Sequence, residues 1–212
     1  MRRLVIFLVG GIIWMSGGAL LAQTIPWDKL MVFFQYQDSL HLDLEEEHLE
    51  KLDNWEEPNL LPLPDHLKSQ LLRPYYFETH PGQRQEADWQ ASSLYQNPIY
   101  SYSYQQLEEG GHAMVLLGQD HHGPYLLLLT YGQNNEFIDA LTLYADYSRQ
   151  GMQDEIRSQW LQKDILSVTV SSTWEDPSLR QTRTDVVRTD YRLQTDGQIV
   201  QLLSVSDRSP NH

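Results

Sequence analysis

HAMVLLG at 112–118, QDHHGP at 119–124 and YLLLLTYG at 125–132 form an apolar run, a turn and a second apolar run. Both runs have strand length and are too short for ordinary helices. Gly123-Pro124 breaks the chain between them. The stretch is therefore a β-hairpin. Residues 125–131 are apolar at odd and even positions alike, so both faces of that strand should be covered and it should lie centrally.

The pattern continues downstream. Asn134-Asn135 is a turn, and EFIDALTLYAD at 136–146 is a third strand. Residues 148–163 read as a looser connection with one helical turn around Glu155 to Trp160. DILSVTVSST at 164–173 alternates Leu166, Val168 and Val170 with Ser167, Thr169 and Ser171, which is a strand with one wet face. Residues 182–193 are a fifth strand. Thr195-Asp196-Gly197-Gln198 is a hairpin turn, and IVQLLSV at 199–205 is a sixth strand. Such short connections imply an antiparallel meander. Leu116, Leu128, Leu141, Val168, Val187 and Leu202 are expected on its buried side. Residues 207–212 read as a flexible tail.

Upstream, residues 23–110 are acidic and rich in Pro, Tyr and Gln. WDKLMVFFQY at 27–36 fits either helix or strand and leans slightly to strand on Val32, Phe33, Phe34 and Tyr36. LDLEEEHLEKL at 42–52 has helical spacing, with its glutamates early, where the helix dipole favours them. PNLLPLP at 58–64 must be extended or turned, and Asp65 can cap a short helix at 66–72 before Pro74. Residues 80–106 read as a long surface loop. The predicted fold class is α+β: a six-stranded antiparallel meander at 111–206, covered on one face by short helices and a long loop from 23–110.

Residues 1–22 read as a secretory signal peptide, with Arg2 and Arg3 before an apolar stretch from Leu4 to Ile13 and small residues at the end. Cleavage after Ala22 or after Ala19 fits. An uncleaved anchor is the competing reading, and Gly10, Gly11, Gly17 and Gly18 favour cleavage. No later apolar run is long enough to span a bilayer, so the expected product is exported, periplasmic or extracellular, with no membrane insertion after cleavage. The 212 residues contain no cysteine, so the fold needs no oxidation step. A net charge of −14 argues against nucleic-acid binding. Residues 23–110 carry 16 acidic and 5 basic side chains and 111–212 carry 13 and 8, so the acidity is concentrated in the first half.

Four segments together resemble the uncharacterised exported β-rich proteins of Gram-negative bacteria. They are the proline-flanked Leu61 to Leu67, Ile138 to Leu143, Ile165 to Val170 and Tyr191 to Gly197. The resemblance implies a signal peptide and a β-rich second half. It implies no activity and brings no catalytic residue.

Chemistry-bearing patterns are few. There is no H-E-x-x-H, no G-x-S-x-G, no S-x-x-K and no phosphate cradle. No cofactor is expected. Asp120, His121 and His122 sit on the predicted hairpin turn, with His112 at the start of the preceding strand. They form the metal-site candidate for an alternative reading as a small metal-assisted hydrolase, against the simpler reading of a polar turn in water. Trp89, Tyr95, Tyr100, Tyr102 and Tyr104 crowd a Gln- and Ser-rich stretch. Such aromatics offer rigid contact area with a polar tip, and Tyr100, Tyr102 and Tyr104 would line one face of a strand. They form the ligand-binding candidate, against the reading that they are a lid on the sheet. The leading expectation is a non-enzymatic binding or interaction module of the cell envelope, whose partner is an envelope protein or a glycan.

Overall fold

A computed structural model describes residues 25–35, 37–40, 61–120, 123–149, 151–176 and 181–209. The predicted signal peptide, the predicted helix at 42–52 and His121-His122 lie outside the described residues.

The sheet has eight strands: β1 (Ile99–Gln106), β2 (His112–Asp120), β3 (Gly123–Tyr131), β4 (Phe137–Arg149), β5 (Met152–Gln162), β6 (Ile165–Asp176), β7 (Gln181–Leu193) and β8 (Ile199–Ser209). Each pairs antiparallel with the next, in sequence order throughout. The meander is as expected, but it has eight strands rather than six. The first addition is β1, inside the stretch read as a surface loop. The second is β5, where a helical turn was expected. MQDEIRSQWLQ has a helix-like polar composition, yet it pairs with β6 from Met152↔Trp174 to Gln162↔Ile165. Strand β8 runs to Ser209, past the expected boundary at 206.

Among the described residues, four helical pieces precede the sheet: α1 (Trp27–Leu30), α2 (Asp65–Thr79), α3 (Glu86–Ala91) and α4 (Ser93–Gln96), with a 3-10 turn at Met31–Phe33 after α1. The strand leaning at 27–36 is thus corrected. Leu30 and Phe34 lie four residues apart and both are buried, a helical spacing that outweighs the β-branched content. Helix α2 passes through Pro74 instead of stopping before it. Pro74 is exposed, while Leu67, Leu71, Leu72 and Tyr76 bury the opposite side, and that burial carries the helix past the lost hydrogen bond.

Two apolar clusters sandwich the first four strands. Met114, Leu116, Leu127, Leu129 and Tyr131 pack against Leu30, Phe34, Leu67, Leu71, Tyr76 and Trp89 of the helical layer. Ala113, Val115, Leu117, Leu126 and Leu128 pack on the other side with Leu143, Tyr144, Leu166 and Val168, and with part-buried Ile156, Trp160, Tyr191 and Ile199. This explains why the middles of β2 and β3, residues 113–117 and 125–129, are apolar at odd and even positions alike. It also corrects the expected single buried side. Leu116 faces the helices, whereas Leu128, Leu141 and Val168 face the second cluster, and Leu202 is 46% exposed.

The second cluster joins strands that are not neighbours in the sheet, so the sheet curls over on itself. Strand β4 is the corner. It pairs with β3 over Phe137–Ala145 and with β5 only over Ala145–Arg149. The curl is fastened where the β7–β8 turn meets the β1–β2 turn: Glu109 N–H donates to Thr195 O, and the Thr195 hydroxyl donates to the Glu109 carboxylate at 2.7 Å. Gly197, at φ +95°, lies there against Leu107 and Thr130.

Candidate functional site

The five aromatics expected to present a binding surface sit mostly in the core. Trp89 is fully buried, donates from its indole N–H to Ser69 Oγ at 3.3 Å and packs on Tyr76 and Tyr95. Tyr95 is half-buried. Tyr100, Tyr102 and Tyr104 do not share a face. Strand β1 carries a bulge: Ser101 pairs with Leu116 and Ser103 with Val115, leaving Tyr102 as the extra residue. The alternation shifts by one there, so Tyr100 and Tyr102 join the second cluster while Tyr104 joins the helix-facing one.

The two metal candidates among the described residues are also separated. His112 and Asp120 stand at opposite ends of β2, eight residues and about 27 Å apart along the strand. His112 is buried, stacked on Trp27 at 3.8 Å between ring centres, with Nδ1 hydrogen-bonded to the Tyr104 hydroxyl at 2.7 Å. Burial lowers its pKa below the usual histidine range. Among the described residues, no three metal-ligating side chains gather. No described helix is long and apolar enough to cross a membrane.

The cleft with convergent polar groups lies in the helical layer. Helix α2 ends at Thr79, and Pro81-Gly82 turns the chain back so that α3 and α4 run alongside its last turn. Arg73 ties α2 to α3 through Glu86 at 2.9 Å. Lys68 ties α2 to the end of α4 by donating to the Tyr95 and Asn97 carbonyls, while Asp65 neutralises it at 3.1 Å. Between these two ties is a space of about 380 Å³, lined by Tyr76, His80, Gln83, Asp88, Ala91, Ser92, Ser93 and Leu94.

Its groups have definite roles. The Tyr76 hydroxyl donates to the Gln83 side-chain carbonyl and lies 3.2 Å from Asp88 O. The His80 ring stacks on Tyr76 at 4.5 Å, and its Nδ1 lies 3.1 Å from Tyr76 O. The Thr79 hydroxyl lies 2.9 Å from the same nitrogen, so Nδ1 is engaged at the end of α2. Asp88 accepts the Gln85 N–H at 3.0 Å and so begins α3. Ser92 donates to Trp89 O at 2.6 Å and accepts the Tyr95 N–H at 3.3 Å, so its hydroxyl is occupied in capping α4. A serine, a histidine and an aspartate thus line one cleft, yet serine and aspartate are engaged by backbone and the histidine orients on a carbonyl rather than on either of them. That arrangement activates no nucleophile. It offers an acceptor-rich rim beside a stacked aromatic pair.

Sequence reasoning missed this cleft. Its visible signal was the aromatic run Tyr75-Tyr76-Phe77 ending in His80-Pro81-Gly82, a helix stop. Nothing local says that residues 85–94 return to that stop. Comparison with family models, curated proteins and solved structures finds no match to the chain.

Proposed function

We propose that the protein is exported and serves as a non-enzymatic binding module of the cell envelope, with a glycan unit as its ligand in the cleft between α2, α3 and α4. The observation that carries the reading is the pairing of the Tyr76–His80 stack with acceptors on the same cleft. Sugars present apolar ring faces to aromatic surfaces and hydroxyl donors to carboxylates and imidazoles. A volume of about 380 Å³ suits one or two sugar rings. The chain's charge of −14 favours neutral or amino sugars over acidic ones. The signal-like first 22 residues and the resemblance to exported β-rich proteins support the location. The metal-assisted hydrolase gains no support from His112, whose ring is engaged by Trp27 and Tyr104.

The test is calorimetric titration of the full chain with neutral, amino and acidic oligosaccharides, including peptidoglycan fragments. A neutral or amino glycan should bind, and His80→Ala should weaken it roughly tenfold, one lost hydrogen bond and ring face, with an unchanged circular-dichroism spectrum. Absence of binding to any glycan, or binding indifferent to His80→Ala, overturns the reading.

A further inference from the structure

Beyond the Ile199 N–H, which the Asp139 carboxylate of β4 accepts, the outer edge of β8 has no paired strand among the described residues, and it lies apart from the cleft. Strand β8 is eleven residues long and pairs with β7 on one side; among the described residues no strand pairs with its other side. Leu202, Leu203 and Val205 are 46%, 57% and 54% exposed on it. Natural edge strands are blunted by charged side chains, lysine above all, by proline, by bulges or by shortness. Strand β8 contains no lysine and no proline. Its one irregularity is the bulge at Leu202, between Leu203↔Asp190 and Gln201↔Tyr191.

The edge is also where the chain's charge vanishes. Residues 181–209, the β7–β8 hairpin, hold four acidic and four basic side chains in a protein of net charge −14. The repulsion that keeps two copies apart elsewhere is absent at this edge. The opposite edge of the sheet is already engaged: Ser39 bridges Tyr104 and Pro62 bridges Tyr100 along β1.

We propose that β8 is a homodimer edge, pairing antiparallel with β8 of a second copy across a twofold axis to make one sixteen-stranded sheet. Centring the axis on Ser204 sets Leu203 opposite Val205 twice. Both side chains stand on the outward face, over Asp190 and Arg188 of β7. Four apolar side chains thus meet at the centre, between the Arg188–Asp190 ion pairs of the two copies (3.3 Å in each). The same register holds the two Asp207 carboxylates six residues apart along the strand, about 20 Å. An isologous contact of this kind closes at two copies and leaves no edge to extend.

The experiment uses the full chain expressed in a Gram-negative host and purified from the compartment where it accumulates. Its mass is measured by sedimentation across a concentration series. The expected result is a reversible dimer whose dissociation constant rises by more than roughly tenfold in the Leu203→Lys, Val205→Lys double variant. Because the native chain has no cysteine, Ser204→Cys supplies a second, independent readout. It should crosslink to itself under mild oxidation, since directly opposite positions are within disulfide reach, and Gln159→Cys on exposed β5 should not. A monomer at every concentration, a dimer that survives both lysines, or equal crosslinking at the two cysteines overturns the proposal. Should the double variant misfold, crosslinking decides. A monomer that pairs β8 with an added extended peptide also overturns it and assigns the edge to a partner strand.

Discussion

The Asp139 carboxylate on β4 accepts the backbone N–H of Ile199, sixty residues later at the start of β8, at 3.1 Å. Asp139 also accepts the Ala140 N–H at 2.8 Å. One side chain therefore joins the corner strand to the last strand and helps hold the sheet in its curl. Burial raises its pKa above the usual carboxylate range, against the two backbone donors, which lower it.

Asp139→Ala should destabilise the fold by about 1–2 kcal/mol, because the Ile199 N–H loses its acceptor. Asp139→Asn keeps one oxygen acceptor, for the Ile199 N–H, gives up the one on Ala140 and removes the buried charge, so it should cost less than alanine at neutral pH. Since the folded-state pKa lies above the ordinary 3.8, the native state binds the proton more readily. Wild type should therefore gain on Asp139→Asn as pH falls through the raised pKa. Urea titrations of both variants at pH 7 and pH 4 check this. Equal losses for alanine and asparagine would remove the acceptor role.

His112 predicts the opposite pH sign. Its folded pKa lies below the ordinary 6.5, so its contribution is full above 6.5 and is lost as pH falls through the lower folded value. His112→Phe keeps a ring against Trp27 but strands the Tyr104 hydroxyl, which should lower stability at pH 8 by about 1 kcal/mol. It should also flatten the decline in melting temperature on acidification, read in a series of melts from pH 8 to pH 5. An unchanged slope would show that other groups govern it.

Gly118 lies under the Tyr125 ring of the neighbouring strand, where an added Cβ would come within 2.3 Å of the ring. Gly118→Ala should destabilise by about 1–3 kcal/mol through overpacking. Combining it with Tyr125→Ala should cost less than the sum of the two single changes, a coupling that a double-mutant cycle measures. Strict additivity would mean that the ring swings aside freely.

Lys68 is only 4% exposed and donates to two carbonyls at the end of α4. Lys68→Met preserves the side chain's bulk but leaves both acceptors unpaired, and should cost about 2–4 kcal/mol in a denaturant melt. Asp65→Asn, at a largely exposed partner, should cost less than about 1 kcal/mol. A loss from Asp65→Asn as large as that from Lys68→Met would shift the weight from the carbonyls to the ion pair.

The strands and turns of the sheet also show what could be read in advance. The β2–β3 hairpin was legible because a strand segment covered on both sides must be apolar at odd and even positions alike, and residues 113–117 and 125–129 satisfy that. The Thr195–Gln198 turn was legible because Gly197 must adopt positive φ. Strand β5 was not legible. Its residues are part exposed, so no burial pattern was imposed on them, and a polar segment becomes a strand only when a neighbouring ladder offers hydrogen bonds. Tyr100, Tyr102 and Tyr104 misled for a related reason: alternation predicts a shared face only in an unbroken strand, and the bulge at Tyr102 depends on pairing with β2.

By itself the sequence determined the local choices: strands where apolar runs have strand length, turns at Gly and Asn, and an antiparallel meander from short connections. These follow from backbone sterics and side-chain periodicity over a few residues. The tertiary structure alone decided that the sheet curls, that Asp139 meets Ile199, that His112 and Asp120 stand far apart, and that His80, Asp88 and Ser92 line one cleft. Those relationships are contacts between residues distant in the chain, chosen by the packing of both faces of the sheet at once, and no window of local sequence contains them.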